Sequence, residues 1–265
     1  MSEQARRSDF SPIGLELGFG LGEKDDLPPI TLTLPNGYEL ILRGQIDRVD
    51  RAQKDDQLYL RIIDYKSSDH SLNLLEVYYG LALQMLTYLD VVLAHSEQWL
   101  GIKAAPAGVL YFHVHNPMIS GKPNLNEHAL EKEIFKQYKM KGLLIADEGV
   151  IQLMDTSLDS GTSQIIPVGL KKNGGFYSYS KVADQETFII LQEHIHKLMI
   201  RAGLDMIEGT IKLNPFKYKN KEACTYCPFK SVCQFDPLTE ANTFHKLPDM
   251  KDDEVLEKLR KGSEK

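Results

Sequence analysis

Gly44-Gln45-Ile46-Asp47-Arg48-Val49-Asp50 and Leu58-Tyr59-Leu60-Arg61-Ile62-Ile63-Asp64-Tyr65-Lys66 decide the fold. Both runs are strand-like, covering Gln45–Arg51 and Leu58–Lys66, and the Ala-Gln-Lys-Asp-Asp-Gln stretch between them reads as a polar turn. Alternation puts Leu58, Leu60, Ile62, Asp64 and Lys66 on one face of the second strand. Three apolar residues followed by an acid and a base describe a buried face that ends in a polar pocket. A charge buried there is costly unless it is paired or bound to a metal. Asp64 and Lys66 satisfy that condition if they pair with each other. An antiparallel hairpin in a suitable register also turns Asp47 into the same space as Asp64.

Upstream, Ile30-Thr31-Leu32-Thr33-Leu34 and Tyr38-Glu39-Leu40-Ile41-Leu42 flank Pro35-Asn36-Gly37, a good hairpin signal. Residues 1–29 are polar and then rich in Gly, Asp and Pro, and read as a poorly packed lead-in. Downstream, Leu74 to Ala94 reads as one long amphipathic helix. At about 100° per residue, Leu74, Val77, Tyr78, Met85, Tyr88 and Val92 cluster around Leu81. Ala107 to His115 is another strand, Glu127 to Met140 a charged helical pattern, and Gln185 to Ile207 a second long helix. The expected organisation is a lead-in (1–29), a core (30–208), a basic cysteine-bearing segment (209–236) and a charged tail (237–265). Strands first, a helix crossing to another strand, and helices later indicate an α/β fold with a mixed central sheet.

Composition narrows the function. With 37 acidic against 31 basic residues, the chain carries −6 before histidine and does not hold nucleic acid by bulk charge. Three cysteines are too few for a disulfide framework, which favours a reducing compartment. The first residues lack the apolar core of a signal peptide. Gln84, Thr87 and Asp90 interrupt the greasiest stretch, Gly80–Ala94, so no spanning helix is expected there. These features read as a soluble, cytoplasmic protein without a membrane partner.

A D-x-K triplet alone carries little weight, because about one should occur by chance in a chain of this size. A second, Asp249-Met250-Lys251, lies in the charged tail and reads as solvated surface. Context separates the two, since Asp64 ends an apolar strand beside a strand bearing Asp47. Two carboxylates a few ångströms apart repel unless a cation joins them. Mg²⁺ suits the arrangement, taking hard oxygen ligands and leaving positions for water and substrate phosphate. A neighbouring lysine can orient or deprotonate the activated water, or stabilise charge developing at phosphorus. Gln84 lies at the edge of the helical stripe and Tyr88 one turn later; a glutamine there is ordinarily a satisfied boundary residue.

The succession G-x-I-D-R-V-D, D-Y-K-S-S and Q-x3-Y resembles the PD-(D/E)xK nuclease superfamily, in the branch of RecB-type and AddB-type nuclease domains. The likeness runs from Leu15 to about Asp236, strongest over Arg61–Asp90 and Ala107–Ile119. It implies a restriction-endonuclease-like core with Asp47, Asp64 and the main-chain carbonyl of Tyr65 holding Mg²⁺. Lys66 becomes the catalytic lysine, with Gln84 and Tyr88 bracing the site and the DNA strand. It further implies exonucleolytic processing of double-strand break ends in recombinational repair, with 5′→3′ polarity, beside a partner helicase–nuclease subunit of the AddA type. Glu16 also fits a family pattern, with metal contact or a purely structural role both open. The rival reading is a catalytically silent nuclease-like module that holds DNA or docks a subunit.

Cys224-x2-Cys227-x5-Cys233 suits zinc or an iron–sulfur cluster. The resemblance implies a [4Fe–4S] cluster on these three cysteines and a fourth far upstream. That fourth cysteine is absent here, so the chain reads as the C-terminal piece of a longer protein. Zinc on the three thiols plus a histidine such as His245 is a further reading. Five lysines (212, 217, 219, 221 and 230) against Glu222 make residues 209–233 locally basic. Phe216 and Tyr218 interleave with them, so Lys217, Tyr218, Lys219 and Lys221 are expected to track a DNA backbone if the run is more than solvated surface. His113 and His115 read as ordinary strand-end residues, Ser67 and Ser68 lack a histidine partner that would make them nucleophiles, and no Walker A motif signals ATP hydrolysis.

Overall fold

A computed structural model describes residues 2–23, 26–114, 133–239 and 242–263. At its centre, β4 (Gly44–Lys54) and β5 (Gln57–Lys66) form the antiparallel pair expected from the sequence. The strands run three residues beyond Arg51 on one side and one before Leu58 on the other. The turn is therefore only Asp55-Asp56, with Asp55 in the left-handed region (φ 52°). β5 then pairs in parallel with β6 (Ala104–His113), and β6 pairs antiparallel with β7 (Lys141–Ile145). With β1 (Ser11–Phe19) against β4 and β10 (Val182–Ala183) against β7, the sheet order is β1-β4-β5-β6-β7-β10. This is the expected mixed α/β core.

The lead-in reading needs correction. Residues 11–19 are a sheet strand, and Phe10, Phe19 and Leu27 are buried in the core. The register slips between Pro12 and Gly14, and Glu16 sits at φ 48°, so the polar–apolar alternation is broken at both places. The hairpin expected at residues 35–37 joins β2 (Ile30–Thr33) and β3 (Glu39–Leu42), with Gly37 at φ 84° and Ile30 opposite Leu42.

The long helix from Leu74 is also broken. Asn73 caps α2 (Leu74–Tyr78) by accepting the amides of Leu75 and Glu76, and the chain restarts as α3 (Gln84–Ala94). Gly80 at φ 76° supplies the break, a backbone state that glycine enters without strain. α3 packs on β5 and β6, and α6 (Gln185–Ile207) packs on α3. Met85, Leu86, Leu89, Val91 and Val92 are fully buried, which spreads the helix's apolar surface beyond a single stripe. α5 (Glu148–Met154) covers the other sheet face against β4 and β7. β5 is thus buried on both sides, consistent with its nearly unbroken apolar run.

Past α6, β11 (Phe216–Tyr218) pairs with β12 (Lys221–Glu222) and with β13 (His245–Lys246). The tail ends in α8 (Asp252–Ser263), whose Val255 and Leu259 are buried against α2 and α6. No helix among the described residues is long and apolar enough to cross a membrane. Residues 127–132 of the charged pattern at Glu127–Met140, and His115, lie outside the described residues; within the rest of the pattern, residues 133–137 are helical.

Candidate active site

Arg48 pairs with Ile63, so one step further along the antiparallel ladder Asp47 comes opposite Asp64. The Oδ2 of Asp47 accepts the main-chain N–H of Tyr65 at 2.9 Å, which fixes the end of β5 against β4. Asp64 is 1% exposed, and Lys66 Nζ lies 2.8 Å from its Oδ2. That contact is an ion pair, and among the described residues Oδ2 has no other partner. Burial pushes the Asp64 carboxyl upward; Lys66 opposes the shift, while the charge of Asp47 adds to it. Two carboxylates are therefore close enough to repel, with one ammonium beside them.

Tyr111 sits beside Asp64 on β6, register partner to register partner, and its hydroxyl is pushed up to about 12 by burial and by Asp64. The His70 ring tilts against Tyr111, and its main-chain N–H donates to Nε2 of buried His113 at 2.8 Å. His113 is thus a satisfied interior imidazole, as the strand-end reading holds. Tyr111 and His70 are neighbours of the site that sequence reasoning missed. The signal for Tyr111 is its register with Asp64, visible only once β5 and β6 are known to be parallel.

Gln84 Nε2 donates to the Tyr88 hydroxyl at 2.9 Å, one turn along α3. The Tyr88 ring stands edge-on to Phe19, and a Cβ on Gly44 would meet it at 3.9 Å. This pair therefore sits by the start of β4, three residues before Asp47. Glu16 is exposed, and its carbonyl accepts from Gln45 Nε2 at 3.2 Å.

The lysines of the expected basic track stand beside acids in this structure. Lys217 pairs with Glu222, Lys219 with Asp249 (3.1 Å) and Lys221 with Glu76 (2.6 Å). Tyr218 is 4% exposed and donates its hydroxyl to Asp249, so its ring offers no stacking face. The strand pairing of β11 turned that residue inward. Asp249 itself is a surface residue, in line with the reading of the second D-x-K.

Cys224, Cys227 and Cys233 are free thiols that line one cavity of about 170 Å³ with Lys230 and Phe235. Among the described residues, no group of three or more His, Cys, Asp or Glu side chains is drawn together to hold a metal. At the strand site, the side-chain donors are the carboxylates of Asp47 and Asp64, with the Lys66 ammonium beside them. The buried carboxylate of Asp64, repelled by Asp47 and met by one ammonium, fits a hard divalent cation such as Mg²⁺.

The family model of the PD-(D/E)XK nuclease superfamily matches residues 1–234. The chain belongs to the PD-(D/E)XK nuclease superfamily. Members of this superfamily generally use Mg²⁺, the ion that the strand site fits. Curated relatives include a subunit of the ATP-dependent helicase/deoxyribonuclease of Oceanobacillus iheyensis, 60% identical over 264 residues, covering all of this chain and 23% of that protein. The protein of the same name from Bacillus licheniformis is 52% identical over 264 residues, again all of this chain and 22% of the relative. That of Bacillus thuringiensis is 51% identical over 262 residues, 98% of this chain and 22% of the relative. The chain thus spans less than a quarter of the length of these relatives.

Proposed function

We propose that this chain is the deoxyribonuclease module of a helicase–nuclease, hydrolysing phosphodiesters at DNA ends with Mg²⁺. The observation that carries the reading is buried Asp64 beside Asp47, with Lys66 Nζ at 2.8 Å. Asp47, Asp64 and the main-chain carbonyl of Tyr65 would hold the ion. When bound, Mg²⁺ supplies charge neutralisation and an activated water. Asp47 also keeps Tyr65 in place through its N–H, so the third ligand's direction depends on the first. Lys66 stands where its ammonium can hold a non-bridging phosphate oxygen or where its neutral amine can take a proton from the attacking water. Gln84 and Tyr88 act as a hydrogen-bonded brace for the substrate strand.

The relatives' name supports a role beside a helicase, and we infer a partner subunit of the AddA type, recombinational end repair and a cytoplasmic setting. The C-x2-C-x5-C spacing is what favours a [4Fe–4S] cluster on Cys224, Cys227 and Cys233 with a fourth cysteine from outside this chain, in a protein as long as the relatives. Among the described residues the three thiols are not drawn together as a metal group. Anaerobic purification of that longer protein should give a brown, iron-containing product; a colourless protein with stoichiometric zinc removes the cluster. The nuclease reading is tested by incubating this chain with end-labelled single-stranded DNA and Mg²⁺. Degradation should require Mg²⁺ and disappear in Asp64→Ala; equal degradation by both proteins refutes the site assignment, and no degradation by wild type leaves a silent DNA-holding module.

A further inference from the structure

On the sheet face opposite Asp64, β4 and β5 carry a second charged group. Asp50 is fully buried and takes four donors: Arg48 Nε (2.6 Å) and Nη2 (3.0 Å), and Arg61 Nε (3.0 Å) and Nη2 (2.8 Å). Two guanidiniums thus share one carboxylate, Arg61 buried and Arg48 one fifth exposed, which leaves the group with one excess positive charge. Arg48 spends its Nη1 on the Tyr65 hydroxyl at 3.3 Å. Arg61 is 3% exposed, and among the described residues its Nη1 has no hydrogen-bond partner. The Phe10 ring lies 4.6 Å from its guanidinium carbon, an attraction that does not neutralise the charge.

Both arginines line a cavity of about 400 Å³ whose other walls include Ile63, Tyr65, Phe112 and Met154. That size suits a small ligand. Asp9 also borders the cavity, on its exposed rim, but the carboxylate that acts on both guanidiniums is that of Asp50. An uncompensated buried cation is costly unless an anion or hydrogen bonds meet it.

We propose that this cavity is a binding site for a monocarboxylate on an apolar body, an aryl or alkyl acid, separate from the nuclease centre across the sheet. One negative charge matches the one positive charge left over by Asp50. The two oxygens of a carboxylate match the forked edge of a guanidinium, and the aromatic and methionine walls take the apolar body. A doubly charged phosphate ester would overshoot the charge and leave those walls unused.

The test is calorimetric titration of the 265-residue chain with benzoate, and with benzamide as its uncharged isostere. Benzoate should bind saturably and at least tenfold more tightly than benzamide. Arg61→Gln should abolish the difference. Because that variant leaves Asp50 short of donors, Met140→Trp, which fills the cavity from its wall and spares the arginines, should abolish binding as well. Benzoate that does not saturate, or that binds no better than benzamide, overturns the proposal on the wild-type protein alone. Unaltered benzoate binding by a folded Met140→Trp protein places the ligand elsewhere and overturns it too. DNA cleavage plays no part in the readout, so failure here leaves the nuclease reading intact.

Discussion

Asp64→Asn should separate the stability of the site from its chemistry. Asp47, Asp64 and Lys66 sum to one net negative charge, in a place where Asp64 is 1% exposed and, among the described residues, its Oδ2 has no partner besides Lys66. Burial holds the Asp64 carboxyl above its ordinary pKa, so the folded protein binds that proton more tightly than the unfolded chain does. The stability tied to that proton is present below the unfolded pKa and is lost as pH rises through the folded value, so ionised Asp64 is a cost at neutral pH. The amide removes this cost and brings the trio to zero. In the presence of chelator, Asp64→Asn should therefore unfold at a higher temperature than wild type. With Mg²⁺ the order reverses. At ten times its dissociation constant, the ion should stabilise wild type by about 1.4 kcal/mol, or roughly 3–6 °C in a domain of this size. The variant, with one carboxylate, should gain nothing measurable. Cleavage should fall by at least ~10³-fold, about 4 kcal/mol of transition-state stabilisation. Thermal melts of both proteins with chelator and with Mg²⁺ decide the matter. A variant that melts lower without metal, or gains as much as wild type from Mg²⁺, refutes the reasoning.

Three further outcomes follow from other parts of the structure. Asp155, fully buried, accepts from Arg7, Ser157 and Ser163, so Asp155→Ala should cost about 3–5 kcal/mol in denaturant unfolding by leaving Arg7 with Gln164 but no counter-charge and both serines without their acceptor; a loss under about 1 kcal/mol contradicts the clasp. A Cβ on Gly142 would sit 1.9 Å from the Val109 carbonyl oxygen in the β6–β7 ladder, so Gly142→Ala should lower the unfolding free energy by about 2 kcal/mol or more, measured the same way. His196 bonds Asp90 at 2.6 Å between α6 and α3, which raises the imidazole pKa. That stability is present below the unfolded histidine pKa and lost as pH rises through the folded value, so the melting temperature of wild type should drop across this window and Asp90→Asn should flatten the drop.

Much of the core was legible because period-two alternation and turn chemistry agree over residues 30–66. The facing of Asp47 and Asp64 was readable for the same reason, as a consequence of a short antiparallel connection. What was not legible depended on backbone states or on partners distant in sequence. Pro12, Gly14 and the left-handed Glu16 hid β1 by breaking its alternation. Gly80 broke a helix whose side-chain pattern continues across it. Tyr218 looked like a stacking residue among lysines until β11 turned it into the core, and its lysine neighbours found acids as far away as Glu76. The Arg48–Asp50–Arg61 group left a trace that could have been read: Arg61 is a lone charge on the second face of a strand that is apolar on both sides.

The account stands on a divalent ion held between Asp47 and Asp64, and a crystal of this chain soaked in Mn²⁺ tests it most directly. Anomalous scattering should place one ion with a carboxylate oxygen of each residue and the Tyr65 carbonyl at about 2.1–2.2 Å, the range for hard octahedral cations. No peak at that position, or an ion bound elsewhere with these two carboxylates turned apart, would contradict it.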